Sequence, residues 1–414
     1  MIQARPAPVA DVRDPASYRW RLVAVLAVTQ TVGYGVLFYS FSVFLIPTAA
    51  ALHTSTTTVT GAMTVSLLAG AGAAVPIGRW LDRHGGRALM TAGSATATLL
   101  ALAWSRVANV IELYAVWIAL GVVSAGVLHD AAFPVVVSWF DAATRARALL
   151  AVTVVAGFAA TIFLPLAGFL NEAFGWRTAI AVLAIGHGAV TIPLHAMLRR
   201  PAAREPARGG VTAAAQRAEI IHDALRDRVF WLLAASFVVQ ACALSATAVL
   251  LVTMLRELGH SPGFAATVAG LLGVLSVAGR LATTAAGQRW STGSVTAVAF
   301  GVQASGAFLL PVVGRGTVGA VTCVLALGLG YGVATIARPA MLGDRYGTVA
   351  YATLAATWAV PMTLVKALAP LGVVLLWHAA GLAAALDAAA GCCLLGAVGL
   401  LVSERGRFGD GAGR

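Results

Sequence analysis

The chain has 414 residues, 59% of them hydrophobic and only 11% charged, with a mean hydropathy of +0.87. A water-soluble domain carries about 25% charged residues, so this composition excludes an ordinary soluble globular domain. The net charge of +12 is scattered over short polar stretches and the two termini, which excludes a basic domain built to hold a nucleic acid. The four cysteines (Cys242, Cys323, Cys392, Cys393) all fall in apolar runs. Their spacing is neither that of a zinc site nor that of a redox pair, and they read as small core hydrophobes.

Apolar stretches of about 20 residues, long enough to cross a ~30 Å hydrocarbon core as helices, recur along nearly the whole chain. In order they cover 20–46, 58–80, 87–107, 111–138, 146–170, 176–198, 229–255, 263–287, 292–313, 316–337, 348–377 and 382–402. The first exceeds the apolar region of a cleavable signal, about 7–15 residues, and reads as a retained span. The pattern predicts an all-α polytopic membrane protein of twelve transmembrane helices.

Arginine placement orients them. With a cytoplasmic N-terminus, the inner side collects Arg5, Arg13, Arg19 and Arg21, then Arg79, Arg83 and Arg87, then Arg145 and Arg147. It also takes the seven from Arg199 to Arg228, followed by Arg289, Arg338, Arg345, Arg405, Arg407 and Arg414. Only Arg106, Arg177, Arg256 and Arg315 fall outside. Both termini are therefore expected in the cytoplasm. The densest inner cluster is Gly78–Arg87, which reads as a charged turn between two spans.

The one long hydrophilic segment, 199–228, has Pro201, Pro206 and Gly209-Gly210, then a stretch of helical potential over Ala213–Arg226. It divides the chain into a tail (1–19), a six-helix bundle (20–198), a cytoplasmic linker (199–228), a second bundle (229–402) and a short tail (403–414). The bundles repeat at an offset of about 205 residues. Pro165-Leu166 matches Pro370-Leu371, Pro134 matches Pro339, and Asp82-Arg83 matches Gln288-Arg289. Duplicated units of this kind are how transporters place a substrate near the midplane between halves.

Gly78-x-x-x-Asp82-Arg83-x-Gly85-Gly86-Arg87 and the Gly175-Trp176-Arg177 turn resemble motifs of the major facilitator superfamily. That resemblance implies two pseudo-symmetric six-helix bundles. It also implies a gating role for Gly78, Asp82, Arg83, Gly85 and Arg87. Asp82 is expected to hold the inner ends of the first bundle together in the outward-open state, through a helix N-terminus or through arginines across the gap. Gly33-Tyr34-Gly35 with Ser42-Val43-Phe44, Gly279-Arg280, and Arg338-Pro339 with Tyr346-Gly347 look like the bacterial branch related to monocarboxylate transporters and oxalate–formate antiporters. Phe38 and Ser276 stand near positions where animal monocarboxylate carriers have a lysine and an aspartate. Arg280 and Lys366 stand where oxalate–formate antiporters pair an arginine with a lysine. Trp117, four residues before Gly121, replaces the arginine of drug-efflux members, whose fifth-helix motif is reduced to Gly157, Pro165 and Gly168.

An ionised side chain inside the bilayer costs about 2.5–3.5 kcal/mol on insertion scales and needs a partner or a wet cavity. Arg280 can grip a carboxylate with two parallel hydrogen bonds, or it can snorkel to the inner interface. Lys366, the only lysine, lies deep in the eleventh span and supplies a second positive charge to a central cavity, or faces the bundle. Asp130, with His129 beside it, fits a proton carrier, a counter-charge or a packing group. Tyr34, Gln240 and Tyr331 offer substrate hydrogen bonds, and Gln30, Tyr39, His187 and His195 are further polar groups within spans, all of which can instead bridge helices. Helix 6 is peripheral in this fold, which makes the two histidines the weaker candidates.

No metal cluster, nucleotide loop or Ser–His arrangement points to an enzyme, and no cofactor is expected. The expectation is a monomeric secondary active carrier in the bacterial inner membrane, surrounded by lipid. Its solute is a small organic one, with a carboxylate-type anion preferred and proton coupling admitted. Drug or metabolite efflux on the same fold is the alternative.

Overall fold

A computed structural model describes residues 15–199, 213–287 and 289–409. The proline- and glycine-bearing part of the linker, Gln288 of the loop repeat, residues 1–14 and residues 410–414 lie outside the described residues. So do the side chains of Ser276, Pro370 and Leu371. Among the described residues the chain is helical with no strand.

The first half comprises α1 (Pro15–Tyr34), a π-helical turn (Gly35–Tyr39), α2 (Ser40–Ala51), α3 (Thr56–His84), α4 (Gly86–Trp104), α5 (Val110–Ala125), α6 (His129–Trp139), α7 (Ala142–Ala156) and α8 (Ala159–Ala196). After α9 (Ala213–Arg226) in the linker come α10 (Arg228–Glu257), α11 (Pro262–Ala286), α12 (Thr292–Val313), α13 (Thr317–Tyr346) and α14 (Tyr351–Gly409). Breaks at Gly175 inside α8 and at Gly381 inside α14 (φ 75° and 89°) divide each into two rods. Taking α1–α2, α5–α6 and α7 with the start of α8 as single bent rods, the chain runs through twelve spans. The two breaks stand 206 residues apart, so the repeat seen in sequence recurs in backbone geometry.

Close backbone crossings repeat as well. Gly70 and Gly121 bring α3 against α5, and Gly279 brings α11 against α13; a Cβ at any of them would run into a neighbouring carbonyl. Small residues at such crossings let membrane helices pack through van der Waals contact.

Three of the differences from the sequence-predicted bounds bear on the site. The second span continues through the charged cluster to His84, so Gly78–His84 is helix and the turn is confined to Gly85. Gly85 sits at φ 77°, where a side chain would be strained, and its N–H caps Leu81 at 2.8 Å. The tenth span runs through Pro339 to Tyr346 rather than ending at 337. Membrane helices tolerate an internal proline because neighbouring helices and local adjustment re-satisfy the freed backbone. The fourth span is broken at Gly126–Leu128. There the freed Val127 carbonyl accepts from Gln30 Nε2 at 2.9 Å, so a polar side chain of α1 supplies what the ladder loses.

The buried residues fall into unequal clusters. At the arginine-rich end one apolar core is shared by both halves: Leu81, Met90, Phe133 and Val137 pack with Phe230, Leu342, Tyr351 and Trp358. At the opposite end the core of each half closes on itself, one around Phe44, Trp104 and Trp117, the other around Met254, Leu310 and Val324. Among the described residues, an apolar core shared by both halves is thus found at the arginine-rich end.

The linker helix α9 lies against that end. Ala224 is buried in the shared core with Ile220 and Ile221 beside it. Asp227 caps α10 through Val229 N–H (2.8 Å) and accepts from the Tyr346 hydroxyl (2.6 Å) and from Arg345. Burial alone would raise its carboxyl, but these donors outweigh burial and hold it below the ordinary value.

Gln30→Leu fills the same space without a donor and leaves the Val127 carbonyl orphaned in a dry site. The expected loss is about 1–3 kcal/mol, read as a lower unfolding midpoint for the purified protein in detergent.

Candidate functional site

Helix α3 brings Gly78 and Asp82, one turn apart, to the face that meets the start of α14. A Cβ at Gly78 would stand 2.5 Å from the Ala352 carbonyl oxygen, so only glycine lets the two helices approach this closely. The approach delivers Asp82 to the free N–H groups at the N-terminus of α14. Its carboxylate accepts from Ala352 N (2.9 Å), Thr353 N (2.8 Å) and Thr353 Oγ1 (2.6 Å). A helix N-terminus has unsatisfied donors and a positive dipole end, and a carboxylate meets both. Arg79, Arg83 and Arg87 of the same segment are exposed.

Two further ties cross between the halves toward the same end. Arg145, buried at the start of α7, pairs with Asp344 near the end of α13 and also donates to the Phe140 carbonyl. Arg280 of α11 donates through Nη1 to the Thr153 carbonyl at 2.8 Å. Thr153 stands where α7 bends at Gly157, and its carbonyl also accepts from the Gly157 N–H.

Above these ties a small cavity, about 20 Å³ of space open to water, lies between the halves. Its lining comes from α6 (His129, Asp130), α13 (Arg338) and α14 (Tyr351, Trp358). The break in the fourth span puts His129 and Asp130 in the first turn of α6. His129 packs between Tyr34 (4.5 Å between ring centroids) and Phe133 (4.7 Å), and Asp130 is exposed to the cavity. Lys366 is within electrostatic reach of both Asp130 and Arg338. Tyr39 and Tyr331 are within reach of one another and of Arg280. Among the described residues, three cations from α11, α13 and α14 therefore act on the His129–Asp130 pair at the start of α6.

The Major Facilitator Superfamily model matches residues 26–370. The chain belongs to that superfamily. Among solved structures it is similar to the fucose:proton symporter FucP of E. coli (15% identity, 94% of this chain and 99% of that chain, TM-score 0.72). It is also similar to the human organic anion transporter MFSD10 (14% identity, 92% and 99%, TM-score 0.66). The proton:xylose symporter XylE aligns too (12% identity, 93% and 95%, TM-score 0.67). Identities this low carry the fold alone. No curated protein matches the chain by sequence. The protein is a multi-pass membrane transporter of a small-molecule solute and not an enzyme.

Within the superfamily fold, the residues singled out in sequence separate into three groups. His129 and Asp130 line the cavity, Tyr34 packs against His129, and Lys366 lies within the electrostatic influence of Asp130, as Tyr331 does of Arg280. Gln240 does not: it is fully buried and donates to Gln303 Oε1 at 3.1 Å, which spends it on packing α10 against α12. His187 and His195 likewise bridge helices, to Thr98 and Ser94 of α4. The expected placement of Asp82 needs one correction. Its helix N-terminus belongs to the second half, so the tie joins the two halves instead of the inner ends of the first.

Sequence reading missed Arg338 and Arg145 as interior groups, having counted both as loop arginines. The available signal was the apolar run Pro339–Gly343 after Arg338, which keeps the helix going and holds the arginine inside it.

Asp82→Asn keeps one acceptor and removes the charge. The expected weakening is about 1–3 kcal/mol. With the native cysteines replaced and a cysteine at Ala355 above the tie, alkylation from the arginine-rich side should quicken about 5-fold or more. An unchanged rate would show that the tie does not hold that end shut.

Proposed function

We propose that this transporter is a secondary active carrier of a small organic anion, of carboxylate type, working by alternating access in the bacterial inner membrane. In this reading it acts as a monomer with both termini cytoplasmic, and it takes up a proton with its substrate. The observation that carries the reading is the charge between the halves: Arg280, Arg338 and Lys366 against Asp130 alone among the described residues of the cavity region. Net positive charge in a low-dielectric site is costly unless an anion joins it. The solved neighbours include both sugar and organic anion carriers, so the shared fold does not choose between them; the side-chain charge supports the anion.

In this reading the described conformation is closed toward the cytoplasm. Asp82, with Gly78 permitting the approach and Gly85 turning the chain, is the inner gate. Arg83 and Arg87 hold the loop at the anionic membrane surface. Substrate enters from the outside and meets Tyr34 and Tyr331 at the wall and Arg280 and Lys366 as cations. A guanidinium that leaves the Thr153 carbonyl for substrate removes one cross-half tie, so binding and inner opening share a group. A ligand that binds one conformation better than the other shifts the balance by that difference alone.

The test is thermal unfolding of purified protein against small carboxylates and organic cations. A carboxylate at one hundred times its Kd should add about 2.7 kcal/mol, and Lys366→Gln should weaken its binding at least several-fold. Stabilisation by cationic drugs with none by carboxylates would replace this reading with efflux.

A further inference from the structure

The first span is interrupted by the π-helical turn at Gly35–Tyr39. On one side of that turn the Phe163 ring of α8 fills the place of a side chain at Gly35, and a Cβ there would run into the ring. Val36 and Leu37 are buried beside Phe163 in the first half's own core. Against that ring the turn is wider than an α-helix, and the Ser40 N–H reaches back five residues to the Gly35 carbonyl. Single turns of this kind often mark functional sites.

The wider turn changes which side chains share a face. In an α-helix a residue five positions on points well away from the first, whereas in this turn the fourth and the fifth both come back to its side. Tyr34, Phe38 and Tyr39 therefore stand together, with the Phe38 ring centroid 6.1 Å from Tyr34 and 5.3 Å from Tyr39. This face looks toward the second half. Tyr34 packs on His129 of the cavity wall, and Tyr39 lies within the electrostatic influence of Arg280 and Tyr331, from α11 and α13. Tyr34 and Tyr39 are half-buried, while Phe38 between them is exposed, as is Tyr331 on the other half. A ring face is partly negative and its edge partly positive. A small hydrated carboxylate gains nothing from such faces, but a second ring gains buried area and an offset or edge-on contact. The neighbouring guanidinium has the donors to hold a carboxylate at the same time.

We propose that the solute is an aromatic monocarboxylate, its ring held against Phe38 with Tyr331 opposite and its carboxylate on Arg280. The inference rests on the anion reading above and adds the class of anion and the residue that selects it. Phe38 is that residue because it is the exposed member of the three rings and has no polar tip to engage elsewhere. The π-helical turn is what brings it onto the same face as the two tyrosines.

The experiment measures binding calorimetrically on the purified full-length protein as wild type, F38A, F38L and F38W. Benzoate and phenylacetate are the aromatic probes, and acetate supplies the carboxylate alone. Cyclohexanecarboxylate matches benzoate in size without a π-system, and benzylamine keeps the ring and reverses the charge. Wild type should bind an aromatic carboxylate about 10-fold or more tightly than acetate, and about 3-fold more tightly than cyclohexanecarboxylate. F38A should cut the aromatic-over-acetate ratio about 5-fold or more. F38L, which keeps an apolar side chain and decides the matter should F38A not fold, should erase the preference over cyclohexanecarboxylate, and F38W should retain it. Acetate binding within about 2-fold of both aromatic probes, or a selectivity that F38A and F38L leave as in wild type, would overturn the proposal while leaving the anion reading in place. Benzylamine binding as tightly as benzoate would overturn the anion reading and the proposal with it. Binding of acetate with none of either aromatic probe would sink the proposal alone, and binding of no carboxylate at all would sink both.

Discussion

A carboxylate set on the open end of a helix is the contact on which the closed end of this molecule depends. Asp82 can reach the N-terminus of α14 only because Gly78, one turn earlier, has no side chain to hold the helices apart. The contact is strong for two separate reasons. It satisfies backbone donors that otherwise have no partner in a low-dielectric region, and it puts negative charge at the positive end of a helix. Phe133, Leu342, Tyr351 and Trp358 fill the space above and beside it, which keeps water from competing for the same donors.

That arrangement explains why charge is distributed so unevenly. The chain is poor in charged residues, yet it places several of them between its halves, where each crosses from one side to the other. The first half supplies Asp82, Arg145 and the Thr153 carbonyl. The second half answers with a helix N-terminus, Asp344 and Arg280. Donor and acceptor alternate between the halves, so neither carries a large surplus along this seam. The surplus appears one layer deeper, where Arg338 and Lys366 face Asp130. Unbalanced charge is expensive inside a membrane protein and is kept where it serves a function.

Much of the fold was legible from hydropathy and arginine placement, because a bilayer demands long apolar helices and short charged turns. The linker helix was found at Ala213–Arg226, the bounds its composition suggested. Helix ends were less legible. Pro339 reads as a terminator by local rules, yet the tenth span passes through it, since in a membrane protein the neighbours decide whether a lost backbone bond can be tolerated. The same misreading hid Arg338, which a helix ending at 337 leaves outside the membrane. Gln240 failed in the opposite direction: a polar group in an apolar span is a candidate for substrate until Gln303 is seen to take its hydrogen bond. Pairing across 63 residues leaves no trace in local pattern.

The cross-half ties also differ in how they can be undone. The Asp82 contact uses backbone donors fixed to α14, so it breaks only when the helix as a whole moves away. The Arg145–Asp344 pair joins two side chains and can lengthen as they turn. The Arg280 contact is held to a carbonyl already serving Gly157 at the bend of α7, so that carbonyl keeps a partner when the guanidinium departs. Of the three, the Arg280 contact is therefore the least costly to release, and the Asp82 contact demands rigid-body motion. A seam graded in this way has one tie that the turn of a side chain can release and one that gives way only when whole helices move apart.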